Sequence, residues 1–425
     1  MTNSLLELDD DVYDILLQAN QGEVQLSSES FDDDLYKALI DNGILVDSHK
    51  DELLIYKSII HSMRAQESFM HLTIAPTTDC NFNCFYCFER NKQPLYMKES
   101  VMDSIVKYIS SFPLLRTIKI TWFGGEPLMA NNEIRTLYSK LSSIPNIKIV
   151  NSDIVTTGFY LDDDAIQMLK EVNVRNAQIT LDGNKQSHNK IKYDTSGVDV
   201  FDRVINNVHD LINKYPDFHI TFRINLTKRN AAEYVDLHRF LISEFPGKNV
   251  GISPAFVADR NPNSKGRHSD SNIFFNNKES CDFVIELITK FGIPTTFTLY
   301  PDQQLCECAI RDKMAISFDP LGFAYKCWER IGSYKYAIGK LNDSGSLEAI
   351  NQKELNRELY GADPLENTEC CDCAYLPICH GGCPIKRIQN EYEGYDNELC
   401  TSKKGRIDQF LKIHLRLKEL GYNNR

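Results

Sequence analysis

Residues 80–87 read CNFNCFYC, and residues 69–76 ahead of them read FMHLTIAP. The earlier stretch reads as a β-strand, so Cys80, Cys84 and Cys87 sit on the loop at that strand's C-terminal end. Three thiolates on one short loop can ligate three corners of a 4Fe-4S cluster and leave the fourth iron open. A structural zinc site would need a fourth Cys or His at finger-like spacing. His71 lies upstream within the strand, and the following FERNKQPLYM contains neither residue type.

Working outward, the stretches TIKITWF, IKIVNSDIVTT, NAQITLD, HITFRIN and NVGISPAF read as further strands, with TTFTLY as a late addition. Amphipathic helices such as ESVMDSIVKYISSF and NAAEYVDLHRFLISEF lie between them. Repeated βα units imply a parallel sheet, and six of them suit an α/β fold built as a partial (β/α)6 TIM-like barrel over residues 69–300, with ligand chemistry at the C-terminal ends of the strands. Residues 1–68 form a separate block. Apolar spacing at Val12, Ile15 and Leu16, at Leu35, Leu39 and Ile40, and at Ile55, Ile59, Ile60 and Met63 predicts helices there. The block reads either as a small helical or winged-helix-like module or as a packing extension of the next domain. Beyond Tyr300 the alternation ends, and nine of the thirteen cysteines fall in a turn-rich tract, residues 301–425, that needs metal to fold.

The chain has 425 residues, enough for two or three domains, and its apolar runs are far shorter than a membrane span. The N-terminus carries no cationic region ahead of apolar residues, which points away from secretion and toward the cytoplasm, where clustered thiols bind metal or do redox chemistry. A formal net charge of −12 repels phosphate backbones, and no basic stripe offsets it, so nucleic acid is not an expected partner.

The Cys-x3-Cys-x-aromatic-Cys loop resembles that of the radical S-adenosylmethionine (SAM) enzymes. The resemblance implies a cluster at Cys80, Cys84 and Cys87, SAM chelated to its open iron, and Tyr86 beside the adenine. A 5′-deoxyadenosyl radical would then take a hydrogen atom from substrate. At the end of the second strand, TWFGGEPLM carries Gly124, Gly125, Glu126 and Pro127. The glycines let backbone approach a ligand and Glu126 can accept from an ammonium group; in the family this turn holds the methionine amino group. The stretch ITLDGNKQSHNKIKYDTSGVDVFDRV resembles the fourth-strand region of the peptide-modifying branch. That similarity places Thr180 near the SAM ribose or carboxylate and Arg203 against the carboxylate. His188 reads as a loop residue with a satisfied hydrogen bond.

The remaining cysteines follow the pattern Cys306-x-Cys308, Gly322-x4-Cys327, Cys370-x2-Cys373-x5-Cys379-x3-Cys383 and Cys400. Cys-x2-Cys is also zinc spacing, but the whole pattern resembles the SPASM domain, which carries two auxiliary 4Fe-4S clusters. By that resemblance Cys306, Cys308, Cys327 and Cys383 would hold the first and Cys370, Cys373, Cys379 and Cys400 the second. If Cys306 or Cys308 is free, the first would keep an open iron able to bind a substrate thiolate. Cys371 would point away from its neighbours, and Cys281, on a helix with Val284, Ile285 and Ile288, reads as core.

SPASM enzymes oxidise a Cys or Ser of sulfatases to formylglycine or crosslink ribosomally made precursor peptides. Sulfatase-maturing members place an Asp base directly after the cysteine of the GFAYKC element; here Trp328 and then Glu329 follow. They also generally lack a block like residues 1–68, which in some maturases is a leader-binding region. The expected function is therefore a peptide maturase forming a thioether or carbon-carbon crosslink, with Glu329 as the candidate base and a flavodoxin or ferredoxin as low-potential electron donor. Sulfatase maturation is the alternative, and a non-catalytic iron-sulfur electron carrier has no use for the Gly124 to Pro127 turn.

Overall fold

Three helices precede the first strand: α1 (Asp10–Asn20), α2 (Asp33–Asp41) and α3 (Glu52–Ala65). Asp32 and Asp51 start the latter two by accepting from the backbone N–H groups of Leu35 and Leu54 at 2.9 and 2.8 Å. The computed structural model describes residues 4–89, 93–194, 196–259, 270–293, 300–303, 308–348 and 351–419, and among the described residues before β1 it contains helices and no strand.

Strand β1 (Phe69–Ile74) buries Met70, Leu72 and Ile74 and leaves His71 and Thr73 half-buried on its other face. The chain then alternates: α4 (Glu99–Ser110), β2 (Thr117–Trp122), α5 (Asn131–Ser142), β3 (Lys148–Thr156), α6 (Asp163–Glu171), β4 (Val174–Leu181), α7 (Lys185–Ile191), α8 (Val200–Lys214), β5 (His219–Leu226), α9 (Tyr234–Glu244), β6 (Val250–Phe256) and α10 (Asn277–Thr289). Helix α8 shows why these helices cover one sheet face. Val200, Phe201, Val204, Val208 and Leu211 recur at three- and four-residue steps and are all buried. Strands β1 to β6 pair in chain order and in parallel, an open barrel wall of six βα units as the strand pattern predicts.

The sheet continues past residue 300. Strand β7 (Ala315–Phe318) pairs in parallel with the other edge of β1, and β8 (Phe323–Tyr325), β9 (Gly339–Leu341) and β10 (Leu347–Glu348) extend it antiparallel to give ten strands. Helices α11 (Gln352–Tyr360), α12 (Thr368–Cys371), α13 (Leu376–Cys379), α14 (Pro384–Glu393) and α15 (Ile407–Glu419) complete the described chain. Phe410 of α15 packs with Cys281, Val284 and Ile288 of α10, so Cys281 is a core residue. TTFTLY lies almost wholly outside the described residues. No helix among the described residues is long and apolar enough to cross a membrane.

Helix α3 docks on the cysteine-rich tract. Tyr56 and Ile60 pack with Leu365 and Leu376, the Tyr56 hydroxyl meets His380 Nδ1 at 2.7 Å, and Arg64 grips Asp363 through two bonds of 2.5 and 3.0 Å. Burial alone would raise the Asp363 carboxyl, but the bonds from Arg64 and from the Leu365 backbone hold it below the ordinary range. A carboxyl depressed in the folded state stabilises it above the unfolded value, about 4, and that contribution is lost as pH falls through the lower folded value. Arg64→Ala should therefore cost about 3 kcal/mol at pH 7, read as faster hydrogen exchange in α3, and the difference from wild type should shrink at acid pH. A gap independent of pH would show that the pair is not its source.

Candidate functional site

The cysteine loop is closed at its root. Thr78 N–H donates to Leu95 O at 3.0 Å, Met97 N–H to Pro76 O at 2.8 Å, and the Thr78 hydroxyl to Gln93 O at 2.7 Å. Between these ties Cys80, Cys84 and Cys87 lie close together, with Cys84 8% exposed. Burial pushes the Cys80 thiol up, and Glu126, Cys84 and Cys87 add to it while the Phe82 backbone opposes. Crowded thiols in a dry loop are at ease as thiolates only beside a cation such as a metal. The Asn81 carboxamide in the same loop is buried and has no hydrogen-bond partner among the described residues. A soft donor set and an unsatisfied polar group fit an iron-sulfur cluster with a polar ligand beside it.

The glycines of the next turn are required by contact with this loop. A Cβ on Gly124, whose φ is +118°, would stand 2.3 Å from Thr77 O, and one on Gly125 2.1 Å from Asp79 O. The Glu126 N–H bonds Asp79 O at 2.8 Å, so the turn and the residue before Cys80 are one unit. Glu126 is fully buried and its carboxylate accepts four bonds: Thr156 Oγ1 at 2.6 Å, Thr157 N at 2.7 Å, Thr157 Oγ1 at 2.6 Å and Leu128 N at 3.0 Å. Burial raises this carboxyl against those bonds. A ligand ammonium would reach the side chain only by displacing one of them. Pro127 starts a short 3-10 turn below it.

Tyr86 donates to Asp182 Oδ1 at 2.5 Å, and Asp182 also pairs with Lys192; both charges are buried, and Cys84 feels the Lys192 charge. His188, on α7 and not in a loop, accepts the Asp182 N–H through Nδ1 at 3.2 Å, and burial with the Lys192 charge lowers it to about 3. Asp182 and Lys192 were not legible in the sequence, where they look like surface charges. Thr180 lies half-buried on the β4 face shared with Gln178. Arg203 donates to Phe159 O at 3.1 Å and stacks 4.0 Å over the Phe159 ring, which meets Phe82 of the cysteine loop edge-on.

In the later tract Cys370, Cys373 and Cys400 all act on the Cys379 thiol, which burial first of all pushes up. Arg387 Nη1 and Lys404 Nζ approach the sulfurs of Cys370 and Cys400 at 3.7 and 3.8 Å. A Cβ on Gly382 would stand 2.1 Å from Leu399 O, which ties the Cys379 turn to Cys400. Cys371 turns away and contacts Leu365 O at 3.2 Å. Cys308 acts on Cys327, and Cys327 packs against Ile385 and Ile388 of α14, whose N-cap is Cys383. Cys306 lies outside the described residues. No three His, Cys, Asp or Glu side chains among the described residues converge as they would on a single ion.

A cavity of about 540 Å³ opens on the face of β1–β5 opposite the helices. His71, Lys119, Asp153 and Asn176 line it, and Cys308, Cys327 and Trp328 form one wall. Glu329 is not in that lining; Trp328 is. The Trp328 ring stacks on Phe123 at 5.2 Å, and Phe123 stacks on Phe88 at 5.9 Å. These rings are sequence neighbours of Cys327, Gly124 and Cys87.

Residues 74–241 match the family description "Radical SAM superfamily". Those residues form a radical SAM domain. It is 25% identical to the cysteine-type anaerobic sulfatase-maturating enzyme of Clostridium perfringens, over 79% of this chain and 94% of that enzyme. It is 22% identical to the radical SAM cyclopropyl synthase TigE of Paramaledivibacter caminithermalis, over 98% of this chain and 90% of TigE. Among solved structures, native anSMEcpe with bound AdoMet and Kp18Cys peptide superposes with a TM-score of 0.62 at 20% identity, covering 84% of this chain and 100% of that one. At that identity the likeness shows the fold.

Proposed function

We propose that this radical SAM protein is a peptide maturase: it binds a ribosomally made precursor peptide in the strand-lined cavity and removes two hydrogens from it to form a thioether or carbon-carbon bond. The observation that carries the reading is the cavity wall, where Cys308 and Cys327 face the same space that the strands below the cysteine loop enclose. Cys80, Cys84 and Cys87 would hold a 4Fe-4S cluster, which together with SAM would supply the 5′-deoxyadenosyl radical. Tyr86, the Gly124–Pro127 turn, Thr180 and Arg203 surround that place, and Asp182 with Lys192 fixes the Tyr86 hydroxyl. Cys306, Cys308, Cys327 and Cys383 are the first auxiliary ligand set, and Cys370, Cys373, Cys379 and Cys400 the second, in a SPASM unit over residues 301–425. Residues 1–68 brace that unit through α3, leaving α1 and α2 for a leader. A flavodoxin or ferredoxin would supply low-potential electrons.

The likeness to anSMEcpe, solved with Kp18Cys peptide, supports a peptide substrate, and the similarity to TigE extends over the N-terminal block; that to the sulfatase-maturating enzyme supports formylglycine formation as the second reading. Reconstituted protein given SAM, dithionite and the precursor peptide encoded beside the gene should yield 5′-deoxyadenosine and a peptide lighter by two hydrogens. A Cys or Ser turned into an aldehyde would favour the second reading, and an unchanged peptide would defeat both.

A further inference from the structure

We infer that Asp153 is the proton acceptor that completes the two-hydrogen removal, an inference that rests on the peptide-maturase reading. Among the described residues lining the cavity, Asp153 is the one carboxylate. Glu329, which the motif would nominate, stands outside that lining, and Trp328 occupies the wall in its place. Asp153 is held from three sides: Lys119 Nζ at 3.0 Å and Asn151 Nδ2 at 3.3 Å on Oδ2, and Asn176 Nδ2 at 2.8 Å on Oδ1. The neighbouring strands β2 and β4 supply Lys119 and Asn176, and β3 itself supplies Asn151. Asp153 nevertheless keeps 22% of its side chain open and Lys119 keeps 35%, on a barrel face that ordinary (β/α) barrels fill with branched apolar side chains. Half-open charges lining a cavity wall are stable when water or a polar ligand meets them.

The balance of the reaction requires such a group. The first hydrogen leaves the substrate as an atom, to the 5′-deoxyadenosyl radical. The second leaves as a proton and an electron when the new bond, or a carbon-heteroatom double bond, closes at the radical carbon. The proton goes to an Asp153 oxygen and the electron to an oxidised auxiliary iron-sulfur centre. Because the proton departs from a group that is losing an electron, a carboxylate is base enough to take it. Lys119, Asn151 and Asn176 are positioning residues that keep the oxygens turned to the cavity. The other candidate, His71, packs edge-on against Phe69 at 4.8 Å, and burial lowers its basicity.

Asp153→Asn keeps the shape and most of the hydrogen bonding but cannot take a proton. With the reconstituted enzyme and the neighbouring precursor peptide, 5′-deoxyadenosine should still form within about twofold of wild type, while the two-hydrogen-lighter product per 5′-deoxyadenosine falls about 100-fold, the lower range for a lost general base. In wild type, bound peptide should shield Asp153 from carbodiimide labelling, read by mass spectrometry of the digested protein. An unchanged product ratio in Asp153→Asn, or labelling that peptide does not alter, overturns the inference and leaves the maturase reading standing. A wild type that modifies no peptide defeats the maturase reading itself. If the melting temperature of Asp153→Asn falls, Asp153→Glu decides: retention of the ratio within about tenfold supports the assignment, and a loss as deep as 100-fold overturns it.

Discussion

Cys84→Ala should bring 5′-deoxyadenosine formation to background and lower the iron content by about four atoms from about twelve, one cubane of three. Cys84 is 8% exposed, between two other thiols on a loop whose ends are tied by the bonds of Thr78 and Met97. With one thiol gone the loop retains two ligands, too few to hold a cubane that must also keep an iron for SAM. The loss should be all or none because the removed group is a ligand and not a packing element. Cys281→Ala is the matched control. Its thiol lies among Val284, Ile288 and Phe410, so the substitution should lower stability slightly and leave iron and 5′-deoxyadenosine unchanged. Persistent 5′-deoxyadenosine in Cys84→Ala would sink the radical SAM assignment of this loop; iron near four in the wild type, or zinc in its place, would remove the auxiliary clusters.

The parts of this protein that were legible are those where one short stretch carries its own signal. The six parallel strands announce themselves by apolar patterning, the three N-terminal helices by the spacing of their apolar residues, and the cysteine loop by its position after β1. What escaped depends on partners far along the chain. Strand β7 is four residues long and buried on both faces, so AISF has no alternation to read, and it exists because the edge of β1 is there to pair with. Asp182 and Lys192 look like any acidic and basic residue until folding buries them beside Tyr86. The same holds for Lys119 and Asp153, whose meaning comes from facing one cavity. Trp328 read as a missing base; in the fold its ring joins Phe123 and Phe88 in a stack linking the neighbours of Cys327, Gly124 and Cys87.

Contact with the root of the cysteine loop makes Gly125 the position where the smallest chemical change should do the most damage. A methyl added there would fall 2.1 Å from Asp79 O, 2.6 Å from Asp79 C and 2.8 Å from Thr78 O, all backbone atoms with no rotamer to escape into. The chain must part the turn from the loop root, breaking the Glu126 N–H bond to Asp79 O and the Gly125 N–H bond to Thr77 O. Overpacking of this kind costs about 1–3 kcal/mol, and each buried amide left unsatisfied adds about 1–3 kcal/mol. The sum is small against a chain of this size but is concentrated next to Cys80. Gly125→Ala should therefore stay folded, melt a few degrees lower, and lose SAM cleavage by about 100-fold or more, since a misplacement near 1 Å can cost that much. Iron held on Cys370, Cys373, Cys379 and Cys400, which lie outside the ring stack beside the turn, should be kept. Wild-type SAM cleavage in Gly125→Ala would mean that the loop yields easily and that the turn does not set the geometry around Cys80; loss of all iron would mean that the turn holds the whole fold, not the cofactor place alone.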